Sequence, residues 1–103
     1  MGPPKLTPEQ RARALEKAAE ARRARAAVKQ ALKDGELTLA GLLEQADADG
    51  VLGGIKVKAA LTSLPGLGKV KAFRLMDRLG IAENRRVRGL GAKQREALLD
   101  ALS

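Results

Sequence analysis

A chain of 103 residues with 45% hydrophobic content, most of it alanine and leucine, suits one small domain with a modest core. It has no cysteine and no histidine, which removes disulfides, thiolate nucleophiles, thiolate metal sites and the usual imidazole base or ligand. Twenty Lys and Arg against twelve Asp and Glu give a formal charge of +8, the footprint of a polyanionic partner, while Phe73 as the sole aromatic residue leaves bases almost nothing to stack on.

The charge is unevenly placed. Residues 1–33 hold nine basic and three acidic groups, 34–63 hold two and five, and 64–103 hold nine and four, so two basic blocks flank an acidic middle. Residues 1–6 read as a disordered lead-in, because paired prolines resist helix and nothing there buries much surface. This start has no apolar signal core, and Leu6 stands where a myristoylation motif wants Ser or Thr. No apolar run reaches membrane-spanning length, so the expected location is cytoplasmic with no membrane partner.

Thr7-Pro8-Glu9-Gln10 marks a helix start, with Thr7 as N-cap, Pro8 at the first helical position and Gln10 placed for a capping box. The Ala- and Arg-rich helix assigned to 7–34 runs to about Lys33, a rod of roughly 40 Å at about 1.5 Å per residue. Leu15, Val28 and Leu32 are its main large apolar residues, which predicts a docked C-terminal half and a projecting N-terminal half. Arg22, Arg23, Arg25, Lys29 and Lys33 fall on more than one face. They read either as a solvated surface held by pairs such as Glu9 with Arg13 and Glu20 with Arg23, or as extra contacts to a DNA backbone.

Residues 35–103 change to short amphipathic segments, the pattern of a compact helical domain. Asp34-Gly35 breaks the first helix, and Thr38 caps a second, with Leu37 placed to staple onto Leu42 and an end near Asp49-Gly50. Asp47 and Asp49 do not open a calcium loop, since Val51-Leu52-Gly53-Gly54 adds no oxygen ligand and no closing Glu. They read as helix-end acids ahead of a mobile loop from Gly50 to Gly54. A third helix fits Val57 to about Ser63, with Leu61 and Leu64 inward and Lys56 and Lys58 outward. A fourth, about Lys69 to Leu79, is predicted to bury Val70, Phe73, Met76 and Leu79 and to end at Gly80. A last helix runs from about Ala92 to Leu102.

Two connecting stretches carry the chemistry. In Leu64-Pro65-Gly66-Leu67-Gly68-Lys69-Val70 a proline stops one helix, two glycines turn the chain and a lysine opens the next. Such a hairpin serves either as a plain reversal or as a phosphate grip, in which N–H groups at a helix N-terminus meet an anion directly. It is not a nucleotide motif, because Lys71 occupies the third glycine position of Gly-x-Gly-x-x-Gly and no P-loop run follows. Gly89-Leu90-Gly91 repeats Gly66-Leu67-Gly68 ahead of the last helix, and Arg85, Arg86 and Arg88 place three guanidinium groups within four residues. A solvated basic loop is the plain reading. Self-repulsion at this density favours a bound anion, and arginine suits insertion into a narrow minor groove. Under the phosphate-grip reading, with nucleic acid the leading polyanion, the candidate contacts are Pro65, Gly66, Gly68, Lys69 and Lys71 at one turn and Arg85, Arg86, Arg88, Gly89, Gly91 and Lys93 at the other.

Leu6-Thr7-Pro8-Glu9-Gln10-Arg11, Ala21-Arg22-Arg23-Ala24-Arg25-Ala26, the Leu64–Val70 hairpin and Arg85-Arg86-Val87-Arg88-Gly89-Leu90-Gly91 together resemble the actinobacterial integration host factor family over nearly the whole chain. The resemblance implies an all-α fold, a long N-terminal helix followed by a compact bundle of short helices with a helix-two-turns-helix element at about 57–102. It implies a nucleoid-associated, non-enzymatic architectural protein that binds double-stranded DNA with little sequence preference and bends it, in some members beside a recombinase during phage integration. It also implies that Pro65, Gly66, Gly68 and Lys69 form one DNA-facing turn and Arg85, Arg86 and Arg88 the other. A monomer without cofactors is expected. An RNA- or ribosome-binding protein is the alternative, since a small-subunit ribosomal protein uses the same element. Formamidopyrimidine glycosylases carry it too, but here Gly2 separates Met1 from the proline and their cysteine zinc finger is missing.

Overall fold

The first helix begins where its capping residues predict. The Thr7 hydroxyl accepts from the Gln10 N–H at 3.1 Å and the Gln10 side chain accepts from the Thr7 N–H at 3.0 Å, a closed capping box ahead of α1 (Pro8–Lys33). This is seen in a computed structural model that describes residues 5–102, so most of the predicted lead-in lies outside the described residues. Leu32 is fully buried and Val28 packs on the core, whereas Leu15 is 63% exposed; α1 docks by its C-terminal half and projects by its N-terminal half. The predicted Glu9–Arg13 and Glu20–Arg23 pairs do not close. On an exposed helix the Coulomb gain of such a pair barely exceeds the entropy of holding two long side chains together.

At its end α1 is closed by a Schellman turn, with the Glu36 N–H bonded to Ala31 O at 2.9 Å. Thr38 then caps α2 (Leu39–Ala48), its hydroxyl accepting from the Gly41 N–H at 3.0 Å, while Leu37 packs against the core. The mobile loop expected from Gly50 to Gly54 is instead a short helix, α3 (Gly50–Gly53). Asp49 caps it by accepting from the Val51 N–H at 2.9 Å, and Leu52 is buried, so a cap and a core contact outweigh the poor helix propensity of the glycines.

Helix α4 (Val57–Ser63) buries Val57, Ala60 and Leu61. In α5 (Lys69–Arg78) the buried residues are Ala72, Leu75 and Met76, which corrects the predicted stripe: Val70 is 62% exposed and Phe73 37% exposed. The small Ala72 faces inward, and Phe73 lies outside under the Lys58 ammonium, 4.4 Å from the ring centroid. A second Schellman turn ends α5, with the Ile81 N–H bonded to Met76 O at 2.8 Å. Helix α6 (Ala92–Leu102) anchors through Leu98. The described residues form no strand; their only β-type contact is an isolated antiparallel bridge between Lys56 and Arg86. No helix among them is long and apolar enough to cross a membrane.

Candidate nucleic-acid interface

Leucines 32, 42, 43, 61 and 98 lie in the fully buried centre, and no polar or charged residue is buried among the described residues. The charges therefore lie on the surface, and two turns gather many of them. The first joins α4 to α5. The Leu67 N–H bonds to Leu64 O at 3.3 Å with Pro65 and Gly66 between them, and Gly66 has φ +80, the geometry of a type II turn with proline at its second position. Pro65 also lines an apolar cleft of about 600 Å³ with Leu32, Leu64 and Leu99.

Gly68 is the N-cap of α5 in extended conformation, and no side chain caps the helix. The first-turn amides of Lys69, Val70 and Lys71 are thus without the acceptor that Thr7 and Thr38 supply elsewhere, at the positive end of a ten-residue helix. Lys69 and Lys71 are exposed and make no side-chain hydrogen bond or ion pair among the described residues. Lys71 shares a cleft with Arg74 and Arg78, so the basic surface continues along α5 beyond the residues predicted for it.

The second turn, from Gly80 to Gly91, is held differently. The Val57 N–H bonds to Arg85 O at 2.9 Å and the Val87 N–H to Ile55 O at 2.8 Å, fastening the arginine run to the strand-like entry of α4. A 3-10 turn at Val87–Gly89 buries Val87. Gln94 ties the far end down: its Oε1 accepts from the Gly91 N–H at 3.1 Å, and its Nε2 donates to Gly80 O at 3.0 Å.

The three arginines separate into distinct roles. Arg86 donates through Nη1 to Gly54 O at 2.5 Å, and Arg85 donates through Nη1 to Gly89 O at 2.6 Å. Arg88 is exposed and makes no such contact among the described residues, so its charged head is free for an external anion. Lys93, in the first turn of α6, is likewise exposed and unpaired among them.

The Gly53-Gly54 pair, which carried no predicted contact, is the platform beneath this turn. A Cβ on Gly53 would lie 3.1 Å from Arg88 Cβ, and one on Gly54 would fall 2.5 Å from Arg25 Nη2. Arg25 of α1 donates through Nε to Val51 O at 2.9 Å, so arginines from the long helix and from the second turn both grip carbonyls of the α3 segment. A glycine pair in sequence signals this kind of close approach; the identity of what approaches does not follow from it. Ion pairs also join distant elements on this surface: Lys58 with Glu83 at 3.3 Å, and Arg95 with Asp47 at 2.9 and 3.0 Å.

A family model described as "S13-like H2TH domain" matches residues 32–102. A Streptomyces coelicolor protein named Integration host factor is 57% identical over 94 residues, which cover 91% of this chain and 88% of that protein. The Mycobacterium tuberculosis and Mycolicibacterium smegmatis proteins of the same name are each 57% identical over 100 residues, covering 97% of this chain and 95% of theirs. Among solved structures, "Structure of sIHF bound to an 8bp palindromic DNA" superposes with a TM-score of 0.82 at 50% identity, covering 85% of this chain and 99% of that one.

Proposed function

The chain belongs to the actinobacterial integration host factor family of H2TH-domain proteins, and on that premise we propose that it is a nucleoid-associated protein that holds duplex DNA at two turns and bends it. The observation that carries this reading is the bare N-terminus of α5, flanked by unpaired Lys69 and Lys71, in a molecule whose second turn offers unpaired Arg88 and Lys93. The α5 amides and the two lysines bind a phosphate, since helix N-termini favour anions. Gly66, Gly68, Gly89 and Gly91 keep side chains away from the approaching backbone. Arg88 enters the minor groove, where arginine is drawn to the narrowed, electronegative channel, and the duplex bends around the two fixed points.

Contacts of this kind are to the backbone and groove shape, so little sequence preference is expected. The protein acts as a monomer in the cytoplasm, on the nucleoid, carries out no chemical step, and shapes DNA on which a recombinase can work. That the similar solved structure is bound to an 8bp palindromic DNA favours duplex DNA over the RNA or ribosome alternative.

The test is a fluorescence titration of a random-sequence duplex over a range of salt. With about five phosphates engaged, log affinity falls against log salt with a slope of about −4 to −5. A slope near zero, or preferential competition by structured RNA, refutes the reading. A circular-permutation assay then separates bending from simple coating.

A further inference from the structure

Beside the second turn lies a polar cleft of about 240 Å³, lined by Ala46, Asp47, Val87, Arg88, Leu90 and Arg95. Two of its side chains are arginines, and an acid already occupies one of them. Arg95 presents Nη1 and Nη2 to Asp47 Oδ1 and Oδ2 at 2.9 and 3.0 Å, a fork-to-fork pair. That fork geometry is the one a guanidinium also offers to phosphate. The carboxylate is at the rim, with 64% of its side chain exposed, whereas the Arg95 side chain is 32% exposed. Glu44, one helical turn before Asp47 on α2, adds a second negative charge acting on Arg95. Arg95 itself lies one turn into α6, its N–H bonded to Gly91 O at 2.9 Å, close behind the glycine that enters this helix.

We propose that Asp47 is a specificity-setting residue, a built-in carboxylate that takes the place of a phosphate on Arg95 and so marks the edge of the DNA footprint at the second turn. This rests on the duplex-binding function proposed above. It gives the acidic middle of the chain a role: α2 lays its acids against the basic turn, cancels one arginine and repels backbone phosphates from the cleft, leaving Arg88 as the contact. Removing the acid frees Arg95 as one more phosphate contact.

The experiment measures duplex affinity against salt for the wild type, D47N, R95Q and the double variant. D47N is expected to steepen the slope by about 0.9 and to bind on the order of fivefold tighter at 0.1 M salt. R95Q and the double variant are expected to keep the wild-type slope, because neither has the released cation. A D47N slope that is unchanged or shallower overturns the proposal, as does a double variant that retains the steeper slope. A second measurement needs no variant: the Arg95 Nε–Hε resonance of the wild type is followed as duplex is added. It is expected to stay in place, and a large shift would show that Arg95 already contacts DNA and overturn the proposal. Wild type without salt-dependent binding instead refutes the underlying function, so the two failures are distinct.

Discussion

The two turns present opposite solutions to holding a phosphate. The first is bare: a type II reversal through Gly66, an N-cap without a side chain, and backbone amides as donors. The second is upholstered: its backbone is bonded to the α4 entry, two of its three arginines grip carbonyls, and Gln94 bridges its ends. Amides at a helix start are already aimed by the helix, so nothing more is needed to position them. Guanidinium groups on an irregular segment have long, rotatable stems and like charges, and they must be held by the fold before they can be specific. The difference teaches that arginine count and contact count diverge: in the second turn, part of the positive charge is structural.

The largest expected effect follows from removing that turn's charge altogether. Replacing Arg85, Arg86 and Arg88 together with Ala should weaken binding to unrelated duplexes alike, on the order of a hundredfold at 0.1 M salt if about two phosphate contacts and the scaffold are lost. Unchanged affinity in a fluorescence titration would remove the second turn from the interface. The single substitutions sharpen the contrast. Arg88→Ala should lower the salt slope by about 1 with little change in melting temperature. Arg86→Ala should do the reverse, because Gly54 O loses a charge-assisted donor that contributes on the order of 1.5–3 kcal/mol.

An intermediate effect is expected at the first turn. Gly66 has φ +80 and open space where a Cβ would stand, so Gly66→Ala meets no clash and carries only the conformational cost of the left-handed region, about 1–2 kcal/mol. Thermal denaturation should show a lower melting temperature, and affinity should fall by a smaller factor than in the triple variant, since the donors are still present. A substitution that leaves both unchanged would mean that the type II geometry is dispensable.

Local rules were legible and distant partners were not. Thr7 and Thr38 announce the starts of α1 and α2, and Pro65 and Gly80 the ends of α4 and α5, because each signal is written within a few residues of its helix end. Of the stripe 70, 73, 76 and 79, only Met76 and Leu79 meet the core, because α5 is turned so that Ala72 and Leu75 face inward. The face against the core instead uses Ala72, whose small side chain lets the helices approach, and leaves the aromatic ring to a lysine. In the second turn the run of arginines is plain in sequence. Its division of labour is not, since Arg86 bonds a residue 32 positions away and Arg95 an acid 48 positions away.

The smallest effect concerns acid. The hydrogen bond from Arg95 is the main cause holding the Asp47 carboxyl below its ordinary value of 3.8, with partial desolvation opposing it and the Arg95 charge adding to it. A carboxyl whose folded value lies below its unfolded one stabilises the fold fully above the unfolded value, and that contribution is lost as pH falls through the folded value. The bridge joins α2 to α6 at the second turn, so acid below about pH 4 should loosen that turn's support and leave the first turn's backbone reversal, which has no such pair, intact. The expected result is a small melting-temperature advantage of wild type over D47N at pH 6 that shrinks below pH ~4, because protonation makes the wild-type residue resemble the amide. Solvent exposure keeps the difference modest. If the advantage persisted unchanged into strong acid, the carboxylate–guanidinium pair would not be what fastens α6, and the second turn's support would reside in Gln94, the Arg85 and Arg86 grips and the backbone bonds.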